Sequence, residues 1–161
     1  MERLWAPWRM QYIAGEPRPG CLFCRVIEYP DDVDAELVLW RPAGAIVILN
    51  KFPYNPGHAL VAPAVHRPGL EELDEAESAA TTRAMKATLK ALRQVLNPDG
   101  FNIGANIGRA AGAGIPDHVH YHVVPRWNGD TNFMAVVDDV KVVNESLVQT
   151  AEKLRPAFGA S

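Results

Sequence analysis

The segment His118-Val119-His120-Tyr121-His122-Val123-Val124 constrains the chain more than any other. Its alternation of histidine with an apolar or aromatic residue has the period of a half-buried strand. Side chains two apart in a strand point the same way, so the segment predicts three imidazoles on one face, with Val119, Tyr121 and Val123 packed on the core behind them. Imidazole titrates near neutrality, so such a face can supply bases, nucleophiles, hydrogen-bond donors or metal ligands.

Chance alternation of surface or core histidines is the plainest reading of that face. A catalytic metal is a second, because H-x-H recurs at zinc and iron centres. No carboxylate in the strand completes an obvious ligand set, however. Nucleophilic catalysis fits better. A neutral imidazole can attack phosphorus and split one displacement into two easier ones through a phosphoramidate. Neighbouring imidazoles can donate to the phosphate oxygens. The small-residue run Ala110-Ala111-Gly112-Ala113-Gly114, just upstream, is flexible enough to bring backbone amides to the same phosphate.

Around the segment the pattern predicts an α+β domain built on an antiparallel sheet. Glu36 to Arg41 and Ala45 to Asn50 read as a hairpin across Pro42-Ala43-Gly44, and His58 to Pro63 as a third strand after the turn-rich Pro53-Tyr54-Asn55-Pro56-Gly57. Asp74, with Glu77 three residues on, predicts the capped start of a long helix whose apolar face carries Met85, Leu89, Leu92 and Leu96. Asn97-Pro98-Asp99-Gly100 ends it. Phe101 to Ile107 and His118 to Val124 supply two further strands, and a C-terminal helix spans about Glu145 to Leu154. The first thirty-five residues, rich in aromatics, prolines and turn formers, read as an irregular N-terminal arm.

A chain of 161 residues fits one domain spanning 1–161. At 48% apolar and 22% charged, its composition is that of a globular protein. The net charge of -3 argues against a dedicated nucleic-acid binder, yet a few local donors can still hold a phosphorylated small molecule. No signal-peptide pattern follows Met1, and no apolar run approaches the roughly 18 residues of a membrane span, so the expectation is a cytoplasmic protein with no membrane partner. In that compartment the Cys21-Leu22-Phe23-Cys24 pair suggests metal binding or redox chemistry rather than a structural disulfide. Two cysteines alone cannot complete a tetrahedral site, and an inert, half-buried thiol pair is the alternative.

The triad segment, with Asn50, Gly57-His58, Pro63, His66, Asn106 and Gly108 in order before it, resembles the histidine-triad (HIT) superfamily and its His-φ-His-φ-His-φ-φ motif. The flanks Trp5-Ala6-Pro7-Trp8-Arg9 and Pro125 to Phe133 look like a bacterial branch that includes diadenosine tetraphosphate phosphorylases. The resemblance implies a single HIT-like domain, with His120 as the nucleophile that forms a nucleotidyl-histidine, His122 on the phosphate, and His58 supporting the triad from behind. It places Asn50 at the ribose, where many members carry aspartate, and Asn106 and Gly108 beside the phosphate. Gly114-Ile115-Pro116-Asp117 stands where many relatives have Gln-Ser, so backbone amides from Gly114 would replace side-chain help to the leaving group. It further implies a structural zinc on Cys21, Cys24, His66 and His118, magnesium as nucleotide counter-ion, and a homodimer or higher homo-oligomer. The expected substrate is an adenine nucleotide or dinucleoside polyphosphate, cleaved with inorganic phosphate or water as acceptor, phosphorolysis favoured. An adenylate hydrolase or a nucleotide-binding signalling module with negligible turnover are the other readings. Trp5, Pro7, Trp8, Arg9 and Tyr12 suit a base pocket or a packing contact, and Arg109, Arg126 and Trp127 a ligand-side or a solvated role.

Overall fold

The computed structural model describes residues 19–130 and 145–159. Five strands form one antiparallel sheet: β1 (Val38–Trp40), β2 (Ala45–Leu49), β3 (Ala59–Pro63), β4 (Gly100–Gly104) and β5 (Tyr121–Arg126), in the order β1-β2-β3-β5-β4. Among the described residues three α-helices accompany it: α1 (Leu22–Glu28), α2 (Glu75–Leu96) and α3 (Leu147–Phe158). The long helix, the C-terminal helix and the antiparallel sheet of an α+β domain are thus all present. No helix among the described residues is long and apolar enough to cross a membrane.

Every residue of β2 and β3 is buried, because helices or loops cover both faces of that part of the sheet. Their runs Ala-Ile-Val-Ile-Leu and Ala-Leu-Val-Ala-Pro are accordingly apolar throughout rather than alternating. β4 lies at the edge and exposes Asn102, Ile103 and Gly104. The open half of the sheet, β4 with β5, carries the site described below.

Helix α2 starts where its capping box predicts. Asp74 accepts from the Glu77 amide at 2.7 Å, and Glu77 accepts from the Asp74 amide at 3.0 Å, a cap worth about 1 kcal/mol. It ends at Asn97, whose left-handed φ of 47° is tolerated by its short polar side chain. Its buried face differs from the expected leucine and methionine stripe. Ala80, Thr81, Ala84, Thr88, Ala91 and Leu92 are buried, while Met85, Leu89 and Leu96 flank them half-buried. Small residues let the helix lie close on β2 and β3 (Gly44, at the hairpin, has no room for a Cβ against Ala80), and the two threonine hydroxyls donate to carbonyls one turn back.

Several boundaries move. The 36–41 strand is shorter, because Val33–Leu37 coils into a 3-10 turn capped by Asp32. The 101–107 strand runs over Gly100–Gly104, and the C-terminal helix extends to Phe158. The expected irregular arm contains α1, whose Phe23 and Val26 are fully buried. Arg25 ties α1 to the following turn through Asp34 at 3.0 Å and Asp32 at 3.4 Å, and Arg41 donates to the Val26 carbonyl. The residues Trp5, Pro7, Trp8, Arg9 and Tyr12, and Thr131 to Phe133, lie outside the described residues.

Candidate active site

The triad strand begins later than its alternation suggests. Regular pairing starts at Tyr121, and His118 to His120 lies outside the sheet. The local reason is the loop before it: the Val119 amide donates to the Arg67 carbonyl at 2.7 Å, pairing this stretch with the His66-Arg67 segment instead of with β4. Val119 and Val123 are buried behind the histidines as expected, and Tyr121 is half-buried against the core.

All five histidines of the chain form one row. His66 meets His118 edge-on at 5.1 Å between ring centroids, His120 lies 5.2 Å from His122, and His122 lies 5.1 Å from His58. Phe23, fully buried on α1, bridges the one gap, with its ring 5.0 Å from His118 and 5.1 Å from His120. His58, His118 and His120 are buried, and His122 is half-buried.

Hydrogen-bond partners assign the proton on each ring, since a carbonyl can only accept and an amide can only donate. His118 Nε2 lies 2.9 Å from the Pro63 carbonyl, so Nε2 carries the proton and Nδ1 keeps a lone pair. His120 Nδ1 lies 2.9 Å from the His118 carbonyl, so Nδ1 is protonated and Nε2 keeps its lone pair. The Tyr54 amide donates to His58 Nδ1 at 3.0 Å, leaving the proton of neutral His58 on Nε2. That Nε2–H faces His122 Nδ1 at 3.0 Å, which must accept, so His122 carries its own proton on Nε2. Backbone groups therefore set up a lone pair on His120 beside an N–H donor on His122. Burial pushes the pKa of His118, His120 and His122 below the ordinary histidine value, and for His122 the neighbouring His120 adds to it. All of this favours the neutral rings that the assignment requires.

Asn50, from the end of β2, turns its amide nitrogen toward this row. Its Oδ1 accepts from the Phe52 amide at 2.9 Å, and its Nδ2 lies 3.4 Å from both ring nitrogens of His58. Gly108, at φ +80°, opens the 3-10 turn Arg109–Ala111, and its carbonyl receives the amides of Ala111 and Ala113. Gly114 is exposed further along the same loop.

A cleft of about 540 Å³ opens beside His122 over β4 and β5, lined also by Tyr54, Asn55, Asn102, Asn106 and Arg126. Of the residues singled out in the sequence as nucleotide-binding, His122 and Asn106 line it; Asn50, Gly108 and Gly114 do not. Tyr54, Asn55 and Asn102 were missed. Tyr54 and Asn55 sit in a segment read only as a turn, and Asn102 reaches the cleft because it lies opposite Val124 in the β4–β5 ladder. Arg126 donates through Nη1 to Asn102 at 2.6 Å and through Nε to Asp130 at 2.6 Å, and the bond to Asp130 holds that carboxyl well below the usual carboxylate range. Asn55 is 2% exposed and donates to the Pro125 carbonyl and to Asp130, both at 2.8 Å. Its Oδ1 has no partner among the described residues, an unmet acceptor that costs about 1–3 kcal/mol when buried.

At the other end of the row, Cys21, Cys24, His66 and His118 bring two sulfurs and two Nδ1 atoms within 4.8 Å of one another. Cys21 Sγ lies 3.2 Å from His118 Nδ1, and Cys24 Sγ lies 3.3 Å from His66 Nδ1. Cys21 caps α1 and Cys24 sits in its first turn, which places the sulfurs on one side of the helix. Burial and the adjacent Cys21 push the Cys24 thiol up to about 11. Two sulfurs and two imidazole lone pairs are the donor set of a closed tetrahedral metal site, and the His118–Pro63 hydrogen bond is the orienting contact that metal-binding histidines use. These four residues could hold a metal ion.

The chain is 36% identical to the AP-4-A phosphorylase of Mycobacterium tuberculosis over 163 residues, covering 96% of this chain and 83% of that protein. It is 32% identical to the adenosine 5'-monophosphoramidase of Schizosaccharomyces pombe over 68% of this chain and 76% of that one. Among solved structures, a Zn-bound histidine triad family protein from Mycobacterium smegmatis superposes with a TM-score of 0.70 at 28% identity, covering 87% of this chain and 94% of that one. Residues 33–129 match the HIT domain, and with the histidine row, the sheet and these relatives in agreement, the chain belongs to the HIT family of nucleotide hydrolases and transferases.

Proposed function

We propose that the protein cleaves dinucleoside polyphosphates, diadenosine tetraphosphate foremost, through a nucleotidyl-histidine formed on His120. The observation that carries this reading is the tautomer pair: a lone pair on His120 Nε2 beside an N–H on His122 Nε2. In the first step the Nε2 lone pair bonds to phosphorus and the bridging P–O bond breaks, its electrons leaving on the polyphosphate oxygen. His122 donates a hydrogen bond to that phosphate, and His58 holds His122 in the donating tautomer. Asn106 and the backbone amides near Gly108 and Gly114 face the phosphate oxygens, and Asn50 serves the ribose through its carboxamide.

In the second step an acceptor oxygen attacks the same phosphorus and the N–P bond breaks. Inorganic phosphate as acceptor yields a nucleoside diphosphate; water yields a monophosphate. Likeness to the Mycobacterium tuberculosis AP-4-A phosphorylase supports phosphate. Likeness to the Schizosaccharomyces pombe adenosine 5'-monophosphoramidase supports water as the second reading.

Zinc is the ion that suits Cys21, Cys24, His66 and His118, where it would fasten α1 to the triad segment as a structural group. A homodimer or higher homo-oligomer, with magnesium as nucleotide counter-ion, completes the reading.

The test is incubation with diadenosine tetraphosphate and magnesium, with and without inorganic phosphate, beside a His120→Ala control, resolving products by chromatography. ADP plus ATP formed only with phosphate is the expected result. AMP plus ATP regardless of phosphate makes it a hydrolase. Binding without turnover, or equal cleavage by His120→Ala, overturns the mechanism.

A further inference from the structure

The Cys21-Leu22-Phe23-Cys24 segment contains a residue that neither the metal cluster nor the reaction employs. Phe23 is fully buried, and its ring lies 5.0 Å from His118 and 5.1 Å from His120, tilted by 51° and 43°. It stands where the end of the row that could hold a metal meets the end that carries the lone pair of His120.

His120 needs such a neighbour. The stretch from His118 to His120 lies outside the sheet, so no strand ladder locks it. The Nδ1–H of His120 reaches a carbonyl two residues back on that same stretch. One such bond fixes the tautomer but not the orientation of the ring, because χ2 of an imidazole is a soft torsion. Rocking about χ2 swings both ring nitrogens and opens the bond to the carbonyl. Among the described residues two rings meet His120, those of Phe23 and His122. His122 borders the open cleft, whereas Phe23 is sealed in the core. The helix behind Phe23 is also tethered, by Arg25 to Asp34 at 3.0 Å and by Arg41 to the Val26 carbonyl at 3.2 Å. Tilted aromatic pairs at these separations attract beyond their buried area, so Phe23 holds the imidazole as well as blocking it.

We propose that Phe23 is a positioning residue for the nucleophile. Packed against both His118 and His120, it holds the His120 ring in the orientation that keeps Nδ1–H on the His118 carbonyl and aims the Nε2 lone pair at phosphorus. The inference rests on the reading that His120 attacks phosphorus. Phe23 acts only through His120 and makes no contact with substrate. Removing this wall therefore slows the chemical step and spares binding.

The test is Phe23→Leu, which removes the flat ring and keeps an apolar side chain in the core. Phe23→Met serves where Phe23→Leu folds poorly, and Val26→Ala, equally buried one turn along α1, is the control. With diadenosine tetraphosphate the Phe23 variant should lose roughly 10- to 100-fold in kcat, the scale of a slightly misplaced reacting group. KM should stay within about twofold, as when an interaction made only in the transition state is lost, and Val26→Ala should keep kcat within about threefold. Nitrogen NMR of the histidine rings in the substrate-free protein gives a readout independent of turnover. The parent should show His120 as a single Nδ1–H tautomer, and the Phe23 variant a mixture of both neutral forms. Unchanged kcat and tautomer in a folded Phe23 variant, a loss confined to KM, or an equal fall in Val26→Ala overturns the role. So does a fall that accompanies loss of metal, which assigns the effect to the cysteine cluster. A parent inactive on this substrate fails the reading on which the role rests, and the single tautomer it still shows tells that failure apart from failure of the wall.

Discussion

His58 Nε2 and His122 Nδ1 lie 3.0 Å apart, and because the Tyr54 amide occupies the other nitrogen of His58, the proton between them belongs to His58. A residue of β3's approach thus dictates which nitrogen of a β5 histidine carries the proton. Replacing His58 by phenylalanine removes the donor while keeping an aromatic ring in the buried position. Activity on diadenosine tetraphosphate should fall roughly 10- to 100-fold, the range for losing a partner that orients a working histidine. The loss should appear in kcat more than in KM. A variant within twofold of the parent would break the chain of tautomers.

The four-ligand cluster predicts one equivalent of zinc per chain, measured by elemental analysis of the purified protein. Cys24→Ser should abolish it and lower the thermal midpoint by more than about 4 °C, which for a domain of this size corresponds to roughly 2 kcal/mol. Chelation should destabilise the parent and leave Cys24→Ser unchanged. A metal-free parent with full stability would reduce the cluster to a thiol pair.

Gly57 has a φ of +76°, and a Cβ there would lie 2.4 Å from Leu96 Cδ1 and 3.1 Å from Leu92 Cδ2. Backbone strain and overpacking combine at one atom, so Gly57→Ala should cost about 2 kcal/mol in denaturant unfolding. Gly20 also has a positive φ, of 87°, but meets nothing within 4 Å. Gly20→Ala should cost clearly less. Equal costs would show that the contact with α2 contributes little.

Arg126 and Asp130 give a pH dependence of known sign. The folded pKa of Asp130 is depressed, chiefly by the hydrogen bond from Arg126, so the unfolded chain binds more protons in the acid range. The stabilisation is fully present above the unfolded carboxylate value of about 4 and fades as pH falls from there toward the lower folded value. Arg126→Met should melt below the parent at pH 7, and the gap should narrow below about pH 4. A gap independent of pH would mean that Arg126 acts by packing alone.

Much of this protein is written locally. The capping box at Asp74 and Glu77 and the stop at Asn97 are contacts between residues a few places apart, so both ends of α2 were legible in advance. So was the juxtaposition of His120 and His122, two residues apart in the alternating segment. The start of β5 was not, since Val119 pairs with Arg67, a partner more than fifty residues away. Nor was the buried stripe of α2, where close approach to β2 and β3 selected alanine and threonine over the larger residues beside them.

The chain's sequence by itself determined the chemical inventory: three alternating imidazoles, two cysteines three residues apart, and the turn residues that punctuate the strands. Only the tertiary structure decided which nitrogen of His58, His118, His120 and His122 carries the proton. The proton positions depend on a carbonyl of Pro63, a carbonyl of His118 and an amide of Tyr54, groups that every residue possesses and that no side-chain pattern records. The cleft beside His122 is likewise tertiary, because Asn55 and Asn102 come together only when the loop before β3 and the edge strand β4 both meet β5. Side-chain type is local information, whereas the direction of a hydrogen bond is set by whichever backbone the fold brings alongside.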